Sequence, residues 1–409
     1  MEKQTTLQDV QNYLLFCKEL DERYDPERPA FRATHCFDEK NGAYTDVTLP
    51  YGLYLPEDYN PRGRYGLVLH IHDMASLGDD PRIALTDSLA PRNFASRRAQ
   101  QIVINQGLDG LIVLVPQVPR ELCCCRDNWT LSAAVPATWQ LLDYIADRYS
   151  IDRDRIYGTG QSMGGMQLLA MAAQRDNYFA GLWLLGCQWG SNYNKNTEYE
   201  GAKYFQTEDP TVWRTDDDGR DSDLGRNLYY LLSDDNVLVM TCTGDGFAPL
   251  LWRELEHLYR EIAGVEIPHV TVDPVLPVEE QNAILKLLLA VDSGPVNFHH
   301  LSFQGGSHME TWRFGHKLDA GLNWLLHQTK QSAQKRPKLS ALNRPWHAET
   351  DPAKVAAKQT DERKIGRLDD KGIFLAVPGR DAGTTGYNST LYSRGGKEII
   401  RCPGWVETR

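Results

Sequence analysis

From about residue 45 to 330 the chain alternates short apolar runs with stretches of helical period. Gly66–His72, Leu111–Val115, Leu182–Gly186 and Asn236–Thr241 are largely apolar runs, and Val296–Phe303, with more polar positions, reads as the last strand. Runs of that length, without polar alternation, predict strands buried on both faces. Thr45–Pro50 alternates polar and apolar and, with Tyr54–Leu55 just beyond, predicts a β-hairpin arm. Helical spacing falls at 137–149, after Gly164, at 278–291 and at 317–327. Strands that alternate with helices imply a mostly parallel sheet covered on both faces, an α/β fold. No internal repeat is visible.

The same pattern divides the chain. Residues 1–44 read as an N-terminal arm whose first 25 residues are amphipathic and lack a signal-peptide core. Residues 45–330 carry the alternating strand and helix pattern of the main domain, with two insertions. The first, 190–226, is polar and rich in Asn, Asp and Gly, and is expected to cap a site. The second, 264–295, holds one helical stretch. Lys330–Pro345 is basic and reads as a linker into a 331–409 extension short of apolar residues.

Composition adds limits. A 409-residue chain with 41% hydrophobic and 24% charged residues is ordinary for a globular protein, and no run reaches membrane-helix length. The net charge is −11, with fifteen Lys/Arg and nine Asp/Glu in 331–409, so the body carries about −17. An acidic body argues against nucleic acid and polyanionic partners, and no membrane partner is expected. Eight cysteines, three of them consecutive at 123–125, lack pairing rhythm and metal-finger spacing. Reduced thiols, a cytoplasmic location, and no cofactor or metal are the expectations. The His70/His72 pair and adjacent His299 and His300 could ligate a metal only if acidic or cysteine partners converged on them.

Chemistry concentrates at Gly160-Gln161-Ser162-Met163-Gly164. A strand entering G-x-S-x-G and a helix leaving it form a nucleophile elbow. The turn is so sharp that a Cβ two residues before or after the serine would collide with a neighbouring strand or helix. A serine hydroxyl needs a base, and the base an orienting acid. Asp245 follows the strand that ends at Thr241, in a turn opened by Gly244, and is the expected acid. Asp273 and Asp292 compete but lie in or beside the second insertion. His308 follows Gly305-Gly306 after the strand ending at Phe303 and is the expected base, whereas His299 and His300 lie within the strand and His316 on the final helix.

An oxyanion hole needs two N–H donors. Met163, after the nucleophile, supplies one, and the His72-Asp73-Met74-Ala75 loop the other, through Met74, provided the Asp73 carboxylate turns away. His72, Asp73, Gln161, Gln188, Trp189 and Trp312 complete the residues expected near substrate, with Gln161 weighted toward supporting the elbow and the two tryptophans equally readable as packed aromatics.

These residues resemble a known group. Tyr54-Leu55-Pro56-Glu57-Asp58-Tyr59, His70-Ile71-His72-Asp73, Val115-Pro116-Gln117, Gly160–Gly165, Gly244-Asp245 and Gly306-Ser307-His308 look like α/β-hydrolases of the polyhydroxybutyrate-depolymerase and feruloyl-esterase type, including bacterial "predicted peptidases". The resemblance covers roughly 45–330 and implies the α/β-hydrolase fold and a Ser-Asp-His triad, and leaves the substrate open. Asp73 departs from the glycine commoner at its position; the second insertion and the C-terminal extension lie outside the pattern. The expected function is hydrolysis of a small carboxylic ester through an acyl-enzyme. A peptidase or amidase with the same triad, and a binding protein on a retained fold, are the alternatives. The oligomeric state is unreadable.

Overall fold

A computed structural model describes residues 24–25, 29–38, 43–123, 132–175, 177–187, 235–245, 248, 252, 256, 265–291 and 297–330, together with the backbone of three strands between 377 and 402. The first insertion, the N-terminal amphipathic stretch and nearly all of the linker lie outside the described residues.

Nine strands form one sheet: β1 (Ala30–Asp38), β2 (Ala43–Tyr54), β3 (Tyr65–Ile71), β4 (Gly110–Pro116), β5 (Ile151–Gln161), β6 (Gly181–Leu185), β7 (Asn236–Cys242), β8 (His269–Val272) and β9 (Asn297–Phe303). Their order is β1-β2-β4-β3-β5-β6-β7-β9-β8. The β1–β2 and β2–β4 pairings are antiparallel, and the rest are parallel. Every residue of β3, β4, β6, β7 and β9 is buried, the outcome predicted by the largely apolar runs of the first four, while β9 buries Asn297, His299, His300 and Ser302 as well.

Helices cover both faces: α1 (Pro81–Thr86), α2 (Ala90–Phe94), α3 (Arg97–Ile104), α4 (Ala134–Arg148), α5 (Met163–Gln174), α6 (Val278–Leu289), α7 (Glu310–Gly315) and α8 (Asp319–His327). Leu67, Leu69 and Ile71 of β3 join Trp139, Leu142 and Leu168 in one core. Val68, on the other side of the same strand, joins Phe94, Val103 and Leu325 in a second. Alternation along a strand thus feeds two cores, each buried large side chain contributing about 2 kcal/mol. A mostly parallel sheet in this order, with an elbow between β5 and α5, is the α/β-hydrolase fold.

Three details differ from the expectation. The predicted hairpin arm is one strand, β2, whose first half pairs with β1 and whose second half pairs with β4. Pro50 does not break it: Pro50 O accepts from Gln117 N, and Tyr51 N donates to Pro29 O. The hairpin closes one strand earlier, between β1 and β2, so residues 30–38 belong to the main sheet. The second insertion supplies an edge strand, β8, besides its helix α6. The C-terminal extension contains a three-stranded antiparallel sheet, Val377–Arg380, Tyr387–Tyr392 and Glu398–Cys402.

Candidate active site

Parallel strands present their carboxyl ends along one rim, where open α/β sheets place their sites. Ser162 follows β5, Asp245 follows β7, His308 follows β9 and Met74 follows β3. His308 Nε2 lies 2.8 Å from Ser162 Oγ, and His308 Nδ1 lies 2.6 Å from Asp245 Oδ2. Residues 63 and 146 positions apart therefore meet in one hydrogen-bonded line.

The elbow is built by close approach. Ser162 has φ 48° and ψ −117°, a left-handed conformation rare outside glycine, held by its N–H to Leu185 O at 2.9 Å. A Cβ on Gly160 would sit 2.6 Å from the Gly164 carbonyl carbon, and one on Gly164 would sit 2.5 Å from Ile71 C and 2.7 Å from His72 O. Both obstacles are backbone. Gly164→Ala is therefore expected to cost roughly 3 kcal/mol or more, read as a fall in Tm by circular dichroism. Gly165→Ala, which would meet the Cys187 side chain instead, should cost less. Equal melting temperatures for both variants and wild type would refute this account of the turn. On the base side, Gly305 and Gly306 adopt φ 68° and 72°, which lets the loop double back before His308.

Burial disfavours charge on His308, yet the Asp245 carboxylate, its hydrogen bond and the more distant Asp73 outweigh this and raise the imidazole above its ordinary 6.5. Trp312 packs edge-on against the ring, centroids 5.3 Å apart, and is 2% exposed. It buttresses the His308 ring from the buried side.

Beneath the serine lies a buried polar layer. Asp73 Oδ1 accepts from Ala75 N at 2.7 Å and Ser76 N at 3.2 Å, capping the 3-10 turn Met74–Ser76. Its carboxylate is thus committed to the loop, while the Met74 N–H has no hydrogen bond to the described residues. His72 Nδ1 donates to Asp73 O at 2.7 Å, so its Nε2 accepts from Val118 N at 3.0 Å. Burial keeps this imidazole below its usual range and therefore neutral, against the pull of the Asp73 carbonyl and carboxylate. Gln161 Nε2 donates to Asp87 Oδ2 at 2.6 Å and to Asp73 Oδ2 at 3.3 Å. His72, Asp73 and Gln161 are all fully buried and hold the loop and the elbow in register. Gln188 and Trp189 lie outside the described residues.

Asp87 was not foreseen; nothing marks it in the sequence apart from its place just after α1. Desolvation, followed by the adjacent Asp73 carboxylate, pushes its carboxyl well above the usual range. The protonated form is thus favoured in the fold, and native stability should fall as pH rises from the unfolded value, about 3.9, toward the raised one. Asp87→Asn keeps an acceptor for Ser76 Oγ, which donates to Oδ1 at 2.6 Å, and removes that ionisation. Its Tm relative to wild type is expected to improve from pH 4 to pH 8; a difference independent of pH would contradict the assignment.

No family model matches the sequence, and no curated protein matches it. Solved structures of similar shape include a thermostable esterase (18% identity, TM-score 0.45, covering 76% of this chain and 64% of that one). They also include the S-formylglutathione hydrolase FrmB of Staphylococcus aureus (14%, 0.41, 74% and 98%) and an acetyl xylan esterase of Aspergillus awamori (14%, 0.43, 70% and 99%). The chain spans less than two thirds of the thermostable esterase.

Proposed function

We propose that this protein is a serine hydrolase that cleaves a carboxylic ester through an acyl-enzyme. The observation that carries the reading is the continuous Asp245–His308–Ser162 line, with contacts of 2.6 and 2.8 Å. Ser162 Oγ attacks the ester carbonyl as His308 Nε2 takes its proton. Asp245 accepts from Nδ1–H, fixing the tautomer and balancing the imidazolium. The tetrahedral oxyanion is stabilised by the N–H groups of Met163 and Met74, each worth roughly 3 kcal/mol. His308 returns the proton to the departing alkoxide, and water, activated by the same imidazole, releases the acid.

Two features support the oxyanion assignment. Met163 opens α5, where the first N–H groups have no intrahelical acceptor. Met74 sits on a loop braced by Asp73 and His72, so its N–H is preorganised without a carboxylate facing it. A cytoplasmic setting fits the thiols of Cys36, Cys187 and Cys242, all buried. Burial raises the thiol pKa of Cys242 to about 12, and that of Cys187 further, which leaves both unreactive. No helix among the described residues is long and apolar enough to cross a membrane.

Intact-mass spectrometry after incubation with a fluorophosphonate tests the proposal. A single adduct on wild type, absent from Ser162→Ala, is the expected result. No adduct on wild type would overturn it, and a matched amide turned over faster than its ester would move the assignment to amidase.

A further inference from the structure

The condition set by the sequence for a metal at His300, an acidic partner converging on it, is met away from the triad. The β8–β9 register pairs His269 with His300 and the β7–β9 register pairs Thr241 with Ser302. His300 and Ser302, two residues apart, therefore share one face of the sheet edge with His269 and Thr241. Glu256, in helical backbone, reaches this face from above. Its Oε1 lies 2.5 Å from His300 Nδ1 and its Oε2 3.4 Å from His269 Nδ1. The two imidazoles stack with centroids 4.1 Å apart and planes 11° from parallel. One donor atom from each of the three residues lies within 4.8 Å of the other two.

We propose that Glu256, His269 and His300 bind a divalent transition-metal cation of the zinc type, through both imidazole Nδ1 atoms and the Glu256 carboxylate, with one imidazole turned out of the parallel stack so that the two in-plane lone pairs converge.

The donor chemistry selects the metal class. Two imidazoles and one carboxylate suit zinc, cobalt or nickel, whereas calcium and magnesium require oxygen shells. The surroundings fit as well. His300 Nε2 lies 2.9 Å from Thr241 Oγ1, His269 Nε2 lies 2.9 Å from Ser302 Oγ, and the two hydroxyls are 3.0 Å apart. A ligating histidine usually donates its outer N–H to such a group, which fixes the tautomer that frees the other nitrogen. The hydroxyls can donate or accept, so each imidazole can carry its proton on Nε2 when Nδ1 faces a cation and on Nδ1 when it faces Glu256 alone. His300 is inaccessible while the His269 side chain is 24% exposed, which leaves one side open for entry and for a water as fourth ligand.

A cation here fastens the edge strand from the second insertion, β8, to β9 and to the segment that carries Glu256. The test uses the full chain, stripped with a chelator and desalted. Zn²⁺ is titrated calorimetrically and Co²⁺ by visible absorption, on wild type, His269→Ala and Glu256→Gln. Wild type is expected to take up one Zn²⁺ with saturation and gain Tm. Either variant should lose at least roughly tenfold in affinity and most of the Tm gain. His269→Ala removes a partly exposed side chain from an edge strand, so it decides the matter even if Glu256→Gln fails to fold. Absence of saturable binding to wild type, or equal binding by wild type and His269→Ala, would overturn the proposal and leave the cluster as a hydrogen-bonded clamp.

Discussion

Replacing Ser162 with alanine is expected to lower kcat/KM for an activated short-chain ester by roughly 10⁵-fold, because the residual rate comes from binding and the oxyanion donors alone. The same position makes a second, opposite prediction. Ser162 is held at φ 48°, ψ −117°, a region that costs a non-glycine residue of order 1–3 kcal/mol. Ser162→Gly removes that strain and gives back part of the gain through the greater entropy of its unfolded chain, about 0.5–1 kcal/mol. Ser162→Gly should therefore be inactive and yet melt above Ser162→Ala, which keeps the Cβ. Paired kinetics and thermal melts check both halves. An alanine variant with near wild-type turnover would remove the nucleophile assignment, and a glycine variant less stable than alanine would show that the elbow stores no strain.

Much of this site was legible because each part obeys a local rule. The elbow declares itself through Gly160 and Gly164, whose Cβ atoms would strike backbone. Asp245 and His308 declare themselves by following β7 and β9, with glycines where the chain must turn. The buried strands β3, β4, β6 and β7 were legible for the same reason, since a strand covered on both faces is dominated by apolar residues. What escaped depends on pairings made across the fold. Asp87 has no signature of its own, and its raised carboxyl arises from burial in the fold and then from the Asp73 carboxylate fourteen residues away. β8 is four residues long with a polar, half-exposed pattern, and only the vacant edge of β9 makes it a strand. The Glu256–His269–His300 cluster draws on three separate segments, so spacing rules tuned to metal fingers could not find it. Trp312 was readable as a pocket wall or as packing, and it packs edge-on against His308 with 2% of its surface exposed.

Asp245→Asn is the variant that separates a triad from a fortuitous hydrogen-bonded line. Asparagine preserves the shape of the contact to His308 Nδ1, now 2.6 Å, but no longer offers the carboxylate that selects the Nδ1–H tautomer. The imidazole can then present Nε2–H to the serine, the wrong end for a base. A loss of order 10⁴-fold in kcat/KM is expected, with little change in KM. The pH dependence carries an independent sign. In wild type, burial lowers the His308 pKa and the Asp245 carboxylate more than restores it, so the value lies above 6.5. The neutral imidazole is the active base, so kcat/KM should rise with pH through a midpoint above 6.5. Removing the carboxylate charge leaves desolvation dominant, which favours the neutral ring and moves the midpoint toward acid. Profiles of kcat/KM from pH 5 to 9 on both proteins measure this shift. A midpoint that stays in place, or moves toward alkali, would mean that Asp245 does not set the charge on His308. A midpoint that falls while activity drops requires one carboxylate both to orient the base and to hold its proton, as the geometry of the Asp245–His308–Ser162 line demands.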